Sequence, residues 1–271
     1  MANIEDLARL ESVIADNANL NGALAQPHIF PKAREKITRI FDLLDAPQQN
    51  VFLSLVSRYS IHFDYGRIAY NLVPRIFDLY KTFNKVSLCT PYIDAPKNQK
   101  SAGLITYEIR AQLVAHDVPK SRVSIRDVVP NDVVDGPLIV VDDFSGSGRT
   151  IRKAVERLLV VGYKPENISV SVLYAMRDAI QCIEALGVRV DAALSGTRCL
   201  TEYEFSEAEG GAAAPEIYGQ IEAKLGVTEE NVRGFGQTEA LVSMKATPNN
   251  TLPIFWYKGK KGVGWPCPFP R

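Results

Sequence analysis

The spacing of hydrophobic and polar positions changes once along the chain. As far as Tyr80, apolar residues recur at helical intervals: Ile37, Ile40, Phe41 and Leu44, then Val51, Phe52, Leu55 and Val56, then Ile68, Leu72, Ile76, Phe77 and Tyr80. Such spacing predicts helices with one buried face. Pro74 falls inside the third run and predicts a kink or a division, because its ring removes a backbone donor and crowds the preceding turn. From Lys85 onward, short apolar runs alternate with amphipathic stretches. Strands are predicted near Val86 to Cys89, Val123 to Ile125, Leu138 to Val141, Ile168 to Tyr174 and Val188 to Ala192, and helices near Ser101 to His116, Thr150 to Val161 and Ala179 to Leu186. Alternation with short connections implies right-handed crossovers and a mainly parallel sheet, an α/β core.

The helix predicted from Thr150 has the clearest two-faced pattern. Ile151, Ala154, Val155, Leu158 and Leu159 share one face, Arg152, Lys153, Glu156 and Arg157 the other, and Gly162 ends it. Just before it runs Leu138-Ile139-Val140-Val141-Asp142-Asp143-Phe144-Ser145-Gly146-Ser147-Gly148-Arg149-Thr150. This reads as a buried strand, two carboxylates at its end and a turn of small residues. In an open α/β sheet, ligands bind at that end. The turn sets unpaired N–H groups and a positive helix end beside two negative charges. A fitting ligand carries a phosphate for the amides and neighbouring hydroxyls for the carboxylates, as a ribose 5-phosphate does.

Two other phosphate loops are excluded by spacing. No lysine follows the second glycine, and only Ser147 separates Gly146 from Gly148, so the stretch is not a Walker A loop. A dinucleotide fingerprint would place its glycines directly after the strand, without the acid pair between. A solvated Asp-Asp turn that merely caps the next helix is the plain alternative. The convergence of acids, glycines and hydroxyls at one strand end argues against it.

The chain of 271 residues, 46% hydrophobic, is long enough for a sizeable core. Its 31 Lys and Arg balance 31 Asp and Glu, which argues against bulk binding to a nucleic-acid backbone. Glu202 to Glu230 is acidic, and Lys258, Lys260 and Lys261 form a small basic cluster that reads as a solvated turn. Cys89, Cys182, Cys199 and Cys267 lie far apart without zinc-site spacing and read as idle thiols in a reducing compartment. His28 and His62 are isolated and read as packing or surface residues. No apolar run resembles a signal peptide or a membrane span, so a cytoplasmic location and no membrane partner are expected.

The stretch Val140 to Thr150 resembles, without insertion or deletion, the signature of the type I phosphoribosyltransferases: an apolar strand, two acidic residues and a short Gly/Ser/Thr loop. The resemblance implies a phosphoribosyltransferase-like core at 83–200, a helical extension at 1–82 and a small carboxyl-terminal hood or hairpin region at 201–271. It implies that Asp142 and Asp143 hold the ribose hydroxyls of phosphoribosyl pyrophosphate and act in catalysis, while Ser145, Gly146, Ser147, Gly148, Arg149 and Thr150 surround the 5-phosphate. It also implies Mg2+, carried on the substrate with Asp142 as a possible ligand.

In that family the loop after the first core strand handles pyrophosphate. The matching region, Thr90 to Ser101, lacks the family's Arg-Gly or Lys-Gly pair. Lys97 and Lys100 could supply the positive charge there, and an ordinary surface loop is an equal reading. Arg126 is a candidate pyrophosphate or lid residue, although the connection from Val128 to Pro137 is short for a catalytic lid.

A second feature lies near the end, Thr247-Pro248-Asn249-Asn250-Thr251-Leu252-Pro253-Ile254-Phe255-Trp256, followed by Trp265 to Arg271. Its turn either closes a hairpin or directs amides such as Asn249 and Asn250 toward a ligand. The ending is similar to that of phosphoribosyltransferase-like proteins of bacterial conflict systems, including those encoded beside retron reverse transcriptases. This likeness implies a Mg2+-assisted enzyme acting at ribose C1 on phosphoribosyl pyrophosphate or a related ribonucleotide. It would be an effector toxin restrained by a partner such as a retron reverse transcriptase with its DNA–RNA product, and a homo-oligomer is open. A nucleotide-sensing module without turnover and an assembly protein with a vestigial site are the alternatives.

Overall fold

The computed structural model describes residues 4–26, 28–94, 101–259 and 264–271. Helices α1 (Ile4–Asp16), α2 (Ala18–Leu24), α3 (Ala33–Asp42) and α4 (Ala46–Arg58) lead into the short strand β1 (Ser60–Ile61). Then come α5 (Tyr65–Ala69), α6 (Val73–Phe83), β2 (Val86–Cys89), α7 (Ser101–Ala115), β3 (Val123–Arg126), β4 (Leu138–Ser145) and α8 (Arg149–Val161). The remainder holds β5 (Ile168–Met176), α9 (Arg177–Glu184), β6 (Arg189–Gly196), α10 (Ala214–Leu225) and β7 (Val242–Ser243). Contacts divide the chain into one compact unit of Met1–Phe63 with Thr197–Arg271 and another of Asp64–Gly196. Residues 64–82, expected within the helical extension, fold inside the second unit.

That second unit is the α/β core. Its sheet has the order β3-β2-β4-β5-β6, and every pairing is parallel. Pro74 acts as expected: α5 stops, a tight turn covers Tyr70–Leu72, and α6 restarts with the proline in its first turn, where no backbone donor is needed. Helix α8 lays Ile151, Ala154, Val155 and Leu158 on Leu138, Val140, Val170 and Val172, and Gly162 ends it at φ 110°. Strand β4 runs four residues beyond the expected end at Val141. Asp142 pairs with Val172, Phe144 with Tyr174 and Ser145 with Ala175, so β5 continues the ladder past the last apolar residue of β4. The stacked Phe144 and Tyr174 rings, 5.9 Å apart, reinforce this extension.

The other unit is built from both ends of the chain. Asp45 opens α4 through a reciprocal cap, accepting from the Gln48 N–H at 3.2 Å. The helix then buries Val51, Phe52, Leu55 and Val56 in a core shared with Leu10, Ile14, Ile37, Phe41, Tyr218, Phe255 and Phe269. Tyr59 stacks on Phe269 with ring centroids 4.9 Å apart, and its hydroxyl meets Ser243 Oγ at 2.7 Å. At the carboxyl end, β7 pairs in parallel with β1, so a parallel pair and a turn stand where an antiparallel hairpin was one expectation. The physical reason is local satisfaction of the turn's polar groups: Thr251 Oγ1 donates to the Val242 carbonyl at 2.6 Å, and Thr247 Oγ1 and Ser243 Oγ share a hydrogen bond of 2.7 Å.

Candidate functional site

The acid pair sits in the carboxyl half of β4 because the ladder to β5 continues through it to Ser145. Successive strand residues point to opposite faces, yet the two carboxylates remain electrically linked. The Asp143 N–H donates to Asp142 Oδ1 at 3.0 Å. Asp142 is only 7% exposed. Burial first, and then the adjacent Asp143 charge, push its carboxyl well above the usual carboxylate range. The Tyr65 hydroxyl, from the first turn of α5, donates to Asp143 Oδ2 at 3.0 Å. Tyr92, in the loop after β2, has its hydroxyl pushed up by burial and then by the charges of Asp142 and Asp143.

Beyond Ser145 the chain makes the turn Gly146-Ser147-Gly148 and enters α8. Gly148 caps the helix at φ 74°, and neither a capping side-chain hydrogen bond nor an acidic residue occupies the first turn. A β-carbon at Gly148 would lie 3.1 Å from the Ala179 carbonyl oxygen. Glycine is therefore required on two grounds, the left-handed backbone and the close approach to α9. Ser145, Gly146 and Gly148 are buried, Ser147 is half-buried, and Arg149 and Thr150 are exposed. The turn thus presents backbone N–H groups at a positive helix end next to two carboxylates, the combination that receives an anion together with hydroxyl donors.

Arg126 ends β3, an edge strand, with β2 between it and β4. It is exposed, and its charge acts on the Cys89 thiol and the Tyr163 hydroxyl, whereas the charge acting on Asp142 is that of Asp143. Its backbone fixes the start of the neighbouring loop: the Thr90 N–H donates to the Arg126 carbonyl at 3.2 Å, and Thr90 Oγ1 bonds the Asp127 carbonyl. Lys97 and Lys100 lie outside the described residues. Asn249 and Asn250 belong to the other unit. There the Asn249 backbone carbonyl accepts from the Phe235 N–H at 2.8 Å, and Asn250 Nδ2 donates to the Phe235 carbonyl at 2.9 Å, so the Asn249 backbone and the Asn250 amide brace the segment around Phe235.

A divalent ion can be tested against the donors present. Among the described residues no three His, Cys, Asp or Glu side chains gather into a metal site. Two adjacent carboxylates do fit Mg2+, which prefers oxygen and keeps most of its shell as water and substrate oxygens. The four cysteines are unbridged: Cys89, Cys199 and Cys267 are buried and Cys182 is half-buried. Burial pushes the Cys89 thiol up to about 12. Among the described residues no helix is long and apolar enough to cross a membrane.

The PRTase-CE family model matches residues 78–271, from α6 through the acid pair and the turn to the end of the chain. The chain belongs to the PRTase-CE family. Solved structures similar to this PRTase-CE chain include the orotate phosphoribosyltransferase from Aeropyrum pernix, at 20% identity over 48% of this chain and 69% of that one, with a TM-score of 0.32. Another is the APRTase from Giardia lamblia complexed with 9-deazaadenine, at 19% identity over 47% of this chain and 79% of that one, TM-score 0.31. A third is the orotate phosphoribosyltransferase from Mycobacterium tuberculosis in complex with 5-phospho-alpha-D-ribosyl 1-diphosphate, at 16% identity over 61% and 89%, TM-score 0.29. No curated protein matches the chain.

Two features of the site were hidden in the sequence of this PRTase-CE protein. Tyr65 is 78 residues from Asp143 and sits in a region whose pattern speaks only of helix packing. Tyr92 carries no motif, and its strand-end position after Cys89 is the one signal that could have singled it out.

Proposed function

We propose that this PRTase-CE protein binds phosphoribosyl pyrophosphate or a related ribonucleotide and acts at C1 of the ribose. The observation that carries the reading is the continuity of the acid pair with the uncapped helix start: Asp142 and Asp143 on β4, then Gly146-Ser147-Gly148, then α8. The 5-phosphate would lie on the turn amides with Ser145, Ser147, Arg149 and Thr150 around it. The ribose hydroxyls would donate to the carboxylates, and Asp143 would help to stabilise positive charge developing at C1. In transfer, the C1–O bond to pyrophosphate breaks with both electrons leaving on oxygen, and a base nitrogen or water forms the new bond to C1. Mg2+ carried on the pyrophosphate would supply neutralising charge, with Asp142 as a candidate protein oxygen donor, and Arg126 would act from the end of the edge strand β3. Release of pyrophosphate from phosphoribosyl pyrophosphate with Mg2+ tests turnover; a well-folded chain that binds but releases none contradicts it.

A second reading, a sensing module that binds without turnover, has its own support. The segment before β4, where a catalytic lid would lie, is tied down. Tyr163 Oη accepts from the Val134 N–H at 2.9 Å and donates to the Asp132 carbonyl at 3.2 Å.

The finer biological role we propose is that of an effector toxin in a retron-type anti-phage system, restrained by a reverse transcriptase with its DNA–RNA product. It is supported by the likeness of the Thr247–Trp256 and Trp265–Arg271 stretches to such proteins. Expression of the chain alone should slow growth, and Asp142→Asn with Asp143→Asn should relieve it. Growth arrest that persists in the double variant contradicts the role.

A further inference from the structure

We infer that Tyr65 is a positioning residue of the ribose site, aiming Asp143 through its hydroxyl, and that Gln112 on α7 holds Tyr65 in place through the backbone of α5. The inference rests on the ribose-phosphate reading of the site and adds a residue outside the segment that suggested it.

The geometry has three parts. Tyr65 is buried, at 4% exposure, in the first turn of α5. Its hydroxyl donates to Asp143 Oδ2 at 3.0 Å. A buried phenol needs a partner for its hydroxyl, and here that partner is one of the two carboxylates, so the requirement of the tyrosine also fixes the rotamer of the acid. The helix itself is five residues long, too short to hold its place by its own hydrogen bonds. It is secured at both ends of its first turn. Asp64 accepts from the Arg67 N–H at 3.0 Å, and Gln112 Nε2 donates to the Gly66 carbonyl at 2.8 Å. Gln112 Nε2 is in turn 3.0 Å from Glu108 Oε1, which packs against Gly66 so closely that a β-carbon there would lie 2.9 Å from it. The chain of contacts runs from α7 through Gly66 and Tyr65 to Asp143.

A carboxylate held in one rotamer accepts hydrogen bonds from the ribose hydroxyls without first losing that freedom on binding. Loss of the phenol hydroxyl should therefore weaken ligands that carry a ribose and spare those that touch the turn alone.

The test is Tyr65→Phe in the full chain, which keeps the buried ring. Binding of inorganic phosphate, ribose 5-phosphate and phosphoribosyl pyrophosphate is measured by calorimetry for both proteins. The expected result is roughly a 10-fold loss for the two ribose ligands, the scale of one hydrogen bond to a charged group, with inorganic phosphate unchanged. Equal binding of the ribose ligands by the two proteins overturns the assignment. So does an equal loss for all three, which would mark a purely structural tyrosine. Wild-type protein that binds none of them removes the ribose-phosphate reading instead and takes the ribose role of Tyr65 with it.

Discussion

Gly148 and Ala179 approach so closely that a β-carbon on the glycine would stand 3.1 Å from the Ala179 carbonyl oxygen and 3.2 Å from its α-carbon. The turn that begins α8 is thus pressed against the first turns of α9, and its shape is set by a backbone contact as well as by a left-handed φ of 74°.

Gly148→Ala should accordingly lower stability by about 1–2 kcal/mol, the scale of placing an L-residue in the left-handed region, and should weaken phosphate binding at the same time. Chemical denaturation and phosphate titration check the pair of effects. A variant as stable as the parent would mean that the turn is free to move away from α9.

Asp142 illustrates a residue kept at a cost to the fold. Burial and the neighbouring Asp143 hold its carboxyl well above the usual carboxylate range. A native value raised above the unfolded one means that its contribution is fully present below the ordinary aspartate range and is lost as pH rises through the native value. Asp142→Asn should therefore make the chain more stable at neutral pH. It should flatten stability against pH while abolishing ribose-ligand binding. Denaturant midpoints across pH 4 to 8, an assay range of about four units, show whether the gain appears; a loss of stability at neutral pH would contradict this account of Asp142.

In the other unit, Glu222 makes a parallel case. Burial first pushes its carboxyl up to about 7, against the Arg233 N–H that favours the anion and donates to Glu222 Oε1 at 2.7 Å. By the same sign, its contribution is complete below the ordinary glutamate range and declines as pH rises through about 7. Glu222→Gln keeps the acceptor for Arg233 and should remove that decline. Thermal unfolding at acidic and at neutral pH measures it, and an identical pH profile in the variant would show that another group is responsible.

Much of the core was legible because its signals are local. The alternation after Lys85 placed the strands and helices, Pro74 marked the break between α5 and α6, and Gly162 marked the end of α8. The acid pair and turn were legible as chemistry because their residues are contiguous. What depended on distant partners was not. The extension of β4 to Ser145 comes from pairing with β5. The joining of the chain's two ends into one unit rests on contacts such as Tyr59 with Ser243, 184 residues apart. Tyr65 carries no motif in the sequence, and only the fold brings its hydroxyl to Asp143.

The most direct test of the central claim is calorimetric titration of the full chain with phosphoribosyl pyrophosphate in the presence of Mg2+, beside the Asp142→Asn, Asp143→Asn double variant. Binding by the parent and a loss of about 100-fold or more in the variant are predicted, on the scale of two hydrogen-bonded carboxylates removed from a ribose. Equal affinity of the two proteins, or a parent chain that does not bind, would contradict the assignment of this strand end as a ribose-phosphate site.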